Sequence, residues 1–322
     1  MRVAVMGTGG TGGFYGGLLA RAGEDVTFIA RGAHLDAIRS RGLTVKSRLA
    51  GDFTIPAKAT GVPGEIGSVD LVLFCVKAYD TEPAAALIRP IVGPETVILS
   101  VQNGIDNDER IARVTGKGTA ICAAAQINAH VEAPGVIGQT AGPGRLIFGA
   151  NAGGLGSRID DLVQRCKAAG IPADLQPDIK VVLWAKYLFI CGFSGVTALT
   201  RLTIGPILGC EETVALYRGT MTEVEAVARA YGVALPAGIV DQALKQSGIL
   251  EAWAKGSLAH DLASGRRLEL ETLNGTVVRL GRARGVPTPF NFAIYAALKP
   301  FVNGPPPAAK PHANGPAPAP KP

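Results

Sequence analysis

Short apolar runs alternate with stretches of helical period over the first half of the chain. Each run is bounded by Gly, Pro or polar residues, which is typical of a buried strand. The runs cover residues 3–6, 26–30, 70–76 and 96–101. Residues 14–22 fit a helix that ends at Gly23. Strands and helices that alternate in this way predict a parallel, doubly wound α/β sheet.

The second half of the chain has a different pattern. Residues 119–150 predict further strands joined by a turn at Pro134-Gly135, and residues 158–169 predict a helix. Beyond Pro177, long segments of 3.6-residue period follow one another at residues 178–200, 211–231, 237–246, 250–264, 268–284 and 290–301. We therefore predict an α/β domain over residues 1–175 and an all-α domain over residues 176–302. The Pro-rich residues 303–322 predict a disordered tail.

Composition narrows the class of protein. The chain has 322 residues, of which 47% are hydrophobic and 18% are charged. Its longest apolar runs, such as residues 71–76, are far shorter than a membrane span, so we expect no membrane segment. Arg2 leads directly into a strand where a secretion signal would stand. These features predict a cytoplasmic protein.

The sequence contains no pattern typical of a metal site or of nucleic-acid binding. The 5 Cys and 4 His are scattered and contain no C-x-x-C pair, so we predict no metal site. The 32 Lys and Arg exceed the 26 Asp and Glu by 6, which gives a net charge of +6, but they are dispersed without long runs, so we predict no nucleic-acid partner. An anionic cofactor and a small anionic substrate explain this mild positive excess more simply.

A glycine-rich turn follows the first predicted strand. It reads Gly7, Thr8, Gly9, Gly10, Thr11, Gly12 and opens the first predicted helix. In this dinucleotide-binding pattern the first Gly permits the tight turn, the second lets the backbone approach a pyrophosphate, and the third allows close helix packing. The helix N-terminus then holds the phosphate charge with its free N–H groups. The turn predicts a Rossmann-type domain and a dinucleotide cofactor.

The second strand ends at Arg31, which indicates the type of dinucleotide. NAD enzymes place Asp or Glu here, on the ribose 2′-hydroxyl. Arg31 stands in that place, 19 residues after Gly12. A guanidinium binds a 2′-phosphate through a forked pair of charged hydrogen bonds, whereas a carboxylate would repel it. We therefore predict NADP(H); the alternative is an Arg that is merely solvated at a strand end.

Two further polar residues follow predicted strands, namely Lys77 and Asn103. In an open α/β sheet, ligands bind beyond the carboxyl ends of the strands. A single polar residue there is usually a turn residue, but several at one edge favour a binding site. We therefore add Lys77 and Asn103 to the predicted cofactor contacts.

These motifs resemble the ketopantoate reductase (2-dehydropantoate 2-reductase) family over residues 1–301. The matching segments are residues 7–12, 31, 75–79, 102–104, 183–186, 269–275 and 285–289. The resemblance implies a Rossmann domain and a helical domain with the active site between them, and NADPH-dependent reduction of a 2-oxo acid. It also implies that Lys186 is the general acid, that Asn103 positions Lys186 or the substrate, and that Glu269 contacts the substrate.

The chemistry of reduction suits these residue types. Hydride arriving at a ketone carbon leaves charge on the oxygen, which an ammonium can stabilise and protonate. Lys186 lies in an otherwise apolar helical segment, so we expect its charge to reach the cleft or a carboxylate, with Glu269 as the partner. Helix positions two apart point to different sides, so we expect only one of Glu269 and Glu271 to face the cleft. The resemblance assigns Glu269 to the cleft, which leaves Glu271 as a surface or structural residue.

The chain departs from the family in the predicted substrate pocket. Asparagines follow the catalytic lysine of the family at four and eight residues, where this chain has Ile190 and Ser194. Another family asparagine is Ala254 here, whereas the substrate-binding serine remains as Ser257. Loss of hydrogen-bonding groups removes recognition of a substrate hydroxyl. We therefore expect a less polar 2-oxo acid than ketopantoate, unless Thr197 or Thr272 replaces the lost contacts.

Two other functions remain open. One is a related hydroxyacid, opine or imine dehydrogenase of the same two-domain type. The other is a regulatory protein that binds NADP without turnover, against which the joint presence of Lys186, Asn103 and Glu269 argues. The sequence does not decide the oligomeric state, and a homodimer is compatible with it.

Overall fold

The computed structural model describes residues 1–150 and 154–306. Its first half contains a six-stranded parallel sheet, and the predicted doubly wound α/β architecture is confirmed. The strands, from one edge to the other, are β5 (Lys58–Thr60), β2 (Asp25–Ile29), β1 (Arg2–Met6), β6 (Val69–Phe74), β7 (Val92–Ser100) and β8 (Thr119–Cys122). Four helices belong to this half: α1 (Gly10–Arg21), α2 (Gly32–Arg41), α3 (Thr81–Ile88) and α4 (Asn107–Thr115).

The structure also contains a second sheet, of five strands, which the sequence analysis does not predict. It comprises β3 (Leu43–Ser47), β4 (Phe53–Ile55), β9 (Ala124–Ala133), β10 (Val136–Gly149) and β11 (Ala173–Gln176), with α5 (Ser157–Ala168) before β11. The hairpin of β9 and β10 turns at Pro134-Gly135, where the sequence predicts a turn. β10 also pairs in parallel with β3 and β11. Pairing between strands so distant along the chain leaves no local pattern from which to predict it.

Helix α1 lies between the two sheets, and its glycines allow both to approach. On the side of the parallel sheet, a Cβ on Gly16 would lie 2.7 Å from Val5 Cγ2. On the other side, a Cβ on Gly10 would lie 2.0 Å from the Ala129 carbonyl oxygen. The helix starts at Gly10, before the predicted start at residue 14, because packing on two sides overrides the low helix propensity of glycine.

Elements from residue 179 to residue 306 are helical. They are α6 (Ile179–Thr200), α7 (Ile204–Leu208), α8 (Glu211–Ala230), α9 (Ile239–Ser247), α10 (Ser257–Ala263), α11 (Asn274–Arg284) and α12 (Pro289–Leu298). They enclose a hydrophobic core of their own, whose largest fully buried side chains include Tyr187 and Tyr217. Of the predicted Pro-rich tail, residues 307–322 lie outside the described residues.

Two helices begin later than the sequence predicts. α10 starts at Ser257, not at residue 250, because the backbone before it is hydrogen-bonded to α7. The Ala252 and Ala254 carbonyls each accept a backbone hydrogen bond of 2.9 Å from α7. α11 starts at Asn274, not at residue 268. The Leu268 N–H there donates to the Val302 carbonyl at 2.9 Å, outside any helix. Both errors arise because helical periodicity cannot show which backbone groups bond outside the segment.

Helix α6 passes the length and composition test for a membrane span, with a mean hydropathy of 1.6 in its most apolar window. However, 61% of that window is buried inside the protein. The helix packs against α8, α10 and α12, and it carries the charged residue Lys186 near its middle. Its apolar character is therefore explained by its place at the centre of the helical core.

Candidate active site

The predicted site residues of the first half follow strands of the parallel sheet. Arg31 comes after β2, the glycine turn after β1, Lys77 after β6 and Asn103 after β7. These four strands are adjacent in the sheet. Because the carboxyl ends of parallel strands meet at one edge, the structure brings the four positions to that edge. Helix α6 lies beside the same edge, since its Leu183 belongs to one buried apolar cluster with Cys122, the last residue of β8.

The glycine turn has the shape that a dinucleotide site needs. Gly7 has φ +94°, a left-handed conformation that favours glycine. The Thr8 hydroxyl donates to the Ile29 carbonyl at 3.0 Å, which ties the turn to the end of β2. A Cβ added to Gly9 would meet open space, so the backbone is accessible at this position. Gly10, Thr11 and Gly12 form the first turn of α1, whose N–H groups suit a phosphate.

We expect Gly9→Ala and Gly10→Ala to separate cofactor binding from folding. Gly9→Ala should leave the free energy of unfolding within about 0.5 kcal/mol, because the added methyl meets open space. It should nevertheless weaken NADPH binding, since the methyl obstructs the approach of a pyrophosphate. Gly10→Ala should lower the free energy of unfolding by about 1–3 kcal/mol, because its methyl collides with β9.

Urea unfolding and fluorescence titration with NADPH measure the two effects, and each variant is the control for the other. Equal losses of stability in both variants would contradict the expected difference. Unchanged NADPH affinity in Gly9→Ala would remove Gly9 from the predicted cofactor site.

Arg31 stands immediately before α2, in extended conformation, and its side chain is exposed. The first turn of α2 holds no acidic residue. The positive end of the helix and the guanidinium therefore act together at this corner of the sheet edge. This arrangement favours an anionic group beside the end of β2.

Lys186 lies on α6 and is half-buried. Burial lowers the pKa of its ammonium from 10.5 to about 8, although the charge of nearby Glu269 opposes this shift. In the described ranges 1–150 and 154–306, no carboxylate forms an ion pair with it. A lysine with this pKa holds a proton at neutral pH and releases it readily, as a general acid must.

We expect the pH profile of kcat/KM to report this lysine. The ammonium form is present below about pH 8 and is lost above it, so kcat/KM should fall about tenfold per pH unit on the alkaline side. Steady-state kinetics across the alkaline range, with enzyme stability checked at each pH, measures this decline of kcat/KM. A profile that stays flat up to the ordinary pKa of lysine would contradict the assignment.

Glu269 does not pair with Lys186, so that expectation is wrong. Its Oε2 accepts from Lys77 Nζ at 3.0 Å, and its Oε1 accepts from the Ala78 N–H at 2.9 Å. Glu269 lies before the start of α11 and not within a helix. The argument from helix faces about its orientation is therefore also wrong. Its carboxylate is buried because it binds the segment that follows β6, across the boundary between the two halves of the chain.

Glu271 lies at the surface, as predicted, although for a different reason. It is exposed, accepts from the Tyr295 hydroxyl at 3.1 Å and forms an ion pair with Lys299. These partners on and after α12 hold Glu271 away from the sheet edge.

Lys77 is a predicted cofactor contact. In the structure its ammonium forms ion pairs with carboxylates of the helical half.

The predicted substrate residues differ in accessibility. Ile190 and Ser257 are half-buried, whereas Ser194 is only 3% exposed. Ser194 lies beneath Gly256, where a Cβ would be 2.4 Å from the Ser194 Cα. This close packing leaves no room for a side chain at position 256. The segment before α10 thus covers Ser194, which stands where the family has an asparagine.

The polar residues that could replace the lost asparagines are engaged elsewhere or buried. The Thr197 hydroxyl donates to the Phe193 carbonyl at 2.7 Å and accepts from the Gly256 N–H at 3.1 Å. Thr272 is 8% exposed and lies against Gly104. Asn103 is half-buried, and its carbonyl accepts from the Asn107 side chain at 3.0 Å.

Asp261 is a residue of the site that the sequence analysis missed. It is 6% exposed, and one of its oxygens accepts from Lys77 Nζ at 3.1 Å. Asp261 follows Ser257 by four residues on α10, and residues at this spacing share a helix face. That spacing was the available signal, because Ser257 was already a predicted substrate residue.

Comparisons with known proteins agree with the motifs. A profile of the family "Ketopantoate reductase PanE/ApbA" matches residues 3–153, and its C-terminal counterpart matches residues 178–302. A 2-dehydropantoate 2-reductase of Mesorhizobium japonicum is 31% identical, over 93% of this chain and 97% of its own.

Solved structures give the same result. The PanE/ApbA family ketopantoate reductase of Ralstonia eutropha JMP134 is 32% identical with a TM-score of 0.87, covering 94% of this chain and 98% of that one. The 2-dehydropantoate 2-reductase of Geobacter metallireducens GS-15 is 34% identical with a TM-score of 0.86, covering 93% and 99%. The resemblance predicted from the motifs is confirmed, and the chain belongs to the ketopantoate reductase family of oxidoreductases.

Proposed function

We propose that the protein reduces a 2-oxo acid to a 2-hydroxy acid with NADPH. In this proposal residues 1–175 bind the cofactor, and residues 176–302 supply the proton donor and the substrate contacts. The observation that carries it is Lys186, a half-buried ammonium of lowered pKa on the helix that lies beside the sheet edge. A purely regulatory NADP-binding protein would have no need of such a group.

Lys186 has two tasks in this reaction. When bound, the nicotinamide cofactor supplies the hydride that reaches the carbonyl carbon of the substrate. The ammonium stabilises the negative charge that develops on the carbonyl oxygen and donates a proton to that oxygen. Lys186 is then neutral and regains a proton from solvent. Burial makes this electrostatic stabilisation stronger than it would be in water.

A nicotinamide cofactor follows from the family, and we propose NADP(H) in preference to NAD(H). Arg31 supports this choice, because its exposed guanidinium precedes a helix whose first turn holds no acid. Both features favour binding of a 2′-phosphate, and neither opposes binding of the rest of the dinucleotide. Gly7, Thr8, Gly9, Gly10, Thr11 and Gly12 would hold the pyrophosphate.

For the substrate we propose a 2-oxo acid with a less polar side chain than ketopantoate. Ile190 is half-buried one helical turn beyond Lys186, so it presents an apolar surface next to the reacting group. Ser194 is nearly buried, and the Thr197 hydroxyl has two backbone partners. Few side chains therefore remain to hydrogen-bond a substrate hydroxyl, which is the contact that would select ketopantoate.

A panel of 2-oxo acids tests both parts of the proposal. NADPH oxidation is measured with ketopantoate and with 2-oxo acids of apolar side chain, each with and without added amines. We expect the apolar acids to have the higher kcat/KM without an amine. Fast turnover of ketopantoate would overturn the altered specificity, dependence on an amine would indicate an opine or imine dehydrogenase, and no turnover would support a regulatory protein.

We also propose that the protein acts in the cytoplasm and that it assembles as a homodimer. Sedimentation of the purified protein at several concentrations tests the second statement. A single monomeric species at all concentrations would contradict it.

A further inference from the structure

The Lys77 ammonium lies between two carboxylates of the helical half. Its Nζ is 3.1 Å from Asp261 Oδ2 and 3.0 Å from Glu269 Oε2. The side chains of Asp261 and Glu269 are only 9% and 6% exposed, whereas that of Lys77 is 42% exposed. Two poorly hydrated carboxylates thus share one cation that comes from the opposite half of the chain.

The two carboxylates have different second partners. Glu269 also accepts from the Ala78 N–H, and this peptide group adjoins Lys77. Asp261 also accepts from Arg266 Nε at 2.8 Å, within the helical half. The four side chains Lys77, Asp261, Arg266 and Glu269 carry two positive and two negative charges, so the group is balanced. Removing one charge leaves a buried partner uncompensated, which is costly.

The geometry makes Asp261 the anchor of Lys77. A lysine side chain is flexible and its ammonium is a point charge with three N–H donors, so one carboxylate alone does not fix its position. Asp261 holds one N–H while Glu269 receives another. Desolvation opposes the charge on Lys77, but the charges of Glu269 and Asp261 more than offset it and raise the Lys77 pKa above its usual range. Lys77 is therefore a permanent cation between them.

We propose that Asp261 is a positioning residue: by holding the Lys77 ammonium, it fixes the Glu269 carboxylate at the boundary between the two halves of the chain. This rests on the proposed function for its kinetic consequence, because Glu269 is the predicted substrate contact. The positioning itself does not depend on which reaction the protein catalyses. In this proposal Asp261 acts on Glu269 through Lys77.

Asp261→Asn tests the proposal, with Asp80→Asn as the matched control. Asp80 lies in the same boundary, where it is 3.7 Å from Arg267, and this ion pair does not include Lys77. Two readouts are needed. The first is the rate at which an amine-acylating reagent modifies Lys77, followed by mass spectrometry on the full-length protein. The second is the set of kcat, KM and NADPH dissociation constant with the best 2-oxo acid of the panel.

In Asp261→Asn we expect Lys77 to be acylated several-fold faster, because its ammonium loses a fixed partner. We expect kcat/KM to fall about tenfold or more while the NADPH dissociation constant changes less than about twofold. Asp80→Asn should change neither readout by more than about twofold. Asp261→Glu, which restores the charge, should recover part of the acylation protection and part of the activity.

Three results would overturn the proposal. One is an unchanged acylation rate at Lys77 in Asp261→Asn. Another is equal losses of activity in Asp261→Asn and Asp80→Asn, which would indicate a general weakening of the boundary. The third is a loss of activity that accompanies a lower melting temperature and that is not recovered in Asp261→Glu. If the unaltered protein reduces no 2-oxo acid, the proposed function fails, and the acylation rates alone still decide whether Asp261 holds Lys77.

Discussion

Replacing Lys186 by methionine should lower kcat by about 10²–10⁴-fold and leave the NADPH dissociation constant nearly unchanged. Methionine keeps most of the length and apolar volume of lysine but cannot donate a proton or carry a charge. The alkoxide that forms at the substrate oxygen would then lack both its proton donor and its electrostatic partner. Because Lys186 is half-buried and without an ion-pair partner in the described parts of the chain, few other groups are expected to depend on it.

Stability separates this effect from unfolding. Burial disfavours the charged form of Lys186, so replacement by an apolar side chain should not lower the melting temperature. Lys180→Met is the matched control, since Lys180 is on the same helix and exposed. It should retain full activity. Retention of kcat in Lys186→Met, measured by NADPH oxidation under saturating substrate, would remove Lys186 from its role.

Arg31→Ala should weaken NADPH binding by about 30–100-fold and NADH binding by less than about threefold. The loss corresponds to removing charge-assisted hydrogen bonds to a 2′-phosphate, which NADH does not have. The effect should shrink at high salt, because Arg31 is exposed and its charge is screened. Fluorescence titration with both cofactors at two salt concentrations measures these differences.

Arg41→Ala provides the control for Arg31. Arg41 is an exposed residue in the last turn of the same helix, far from the end of β2. Its removal changes the net charge equally, so it should leave both cofactor affinities unchanged. Equal losses of NADPH and NADH affinity in Arg31→Ala would mean that the guanidinium does not contact a 2′-phosphate.

The placement of the proposed cofactor residues at one sheet edge could be predicted from the sequence. The glycine turn and Arg31 lie within one strand–helix–strand unit, so their separation along the chain fixes their separation in space. Lys77 and Asn103 could also be assigned to the sheet edge, because every parallel strand ends there. What the sequence did not show is that the Lys77 ammonium pairs with two carboxylates of the helical half.

The substrate half was less predictable, and Glu269 shows why. The periodicity of residues 268–284 is helical, yet α11 begins only at Asn274, and the Leu268 N–H donates to the distant Val302 carbonyl. The expectation that only one of Glu269 and Glu271 faces the cleft therefore rested on a helix that includes neither residue, and the choice of Glu269 came from the family resemblance. The burial of Ser194 was similarly hidden, since it depends on packing against Gly256, 62 residues further along the chain.

The sequence by itself determined the parallel sheet, the glycine turn with Arg31, and the long apolar helix that carries Lys186. These features rest on local periodicity and on spacings within single units, which the chain expresses directly. The tertiary structure alone decided the second sheet, the burial of Ser194 and the pairing of Lys77 with Asp261 and Glu269. Those two ion pairs join residues 184 and 192 positions apart, and a charge selects its partner by distance in space and by shared burial, not by position along the chain.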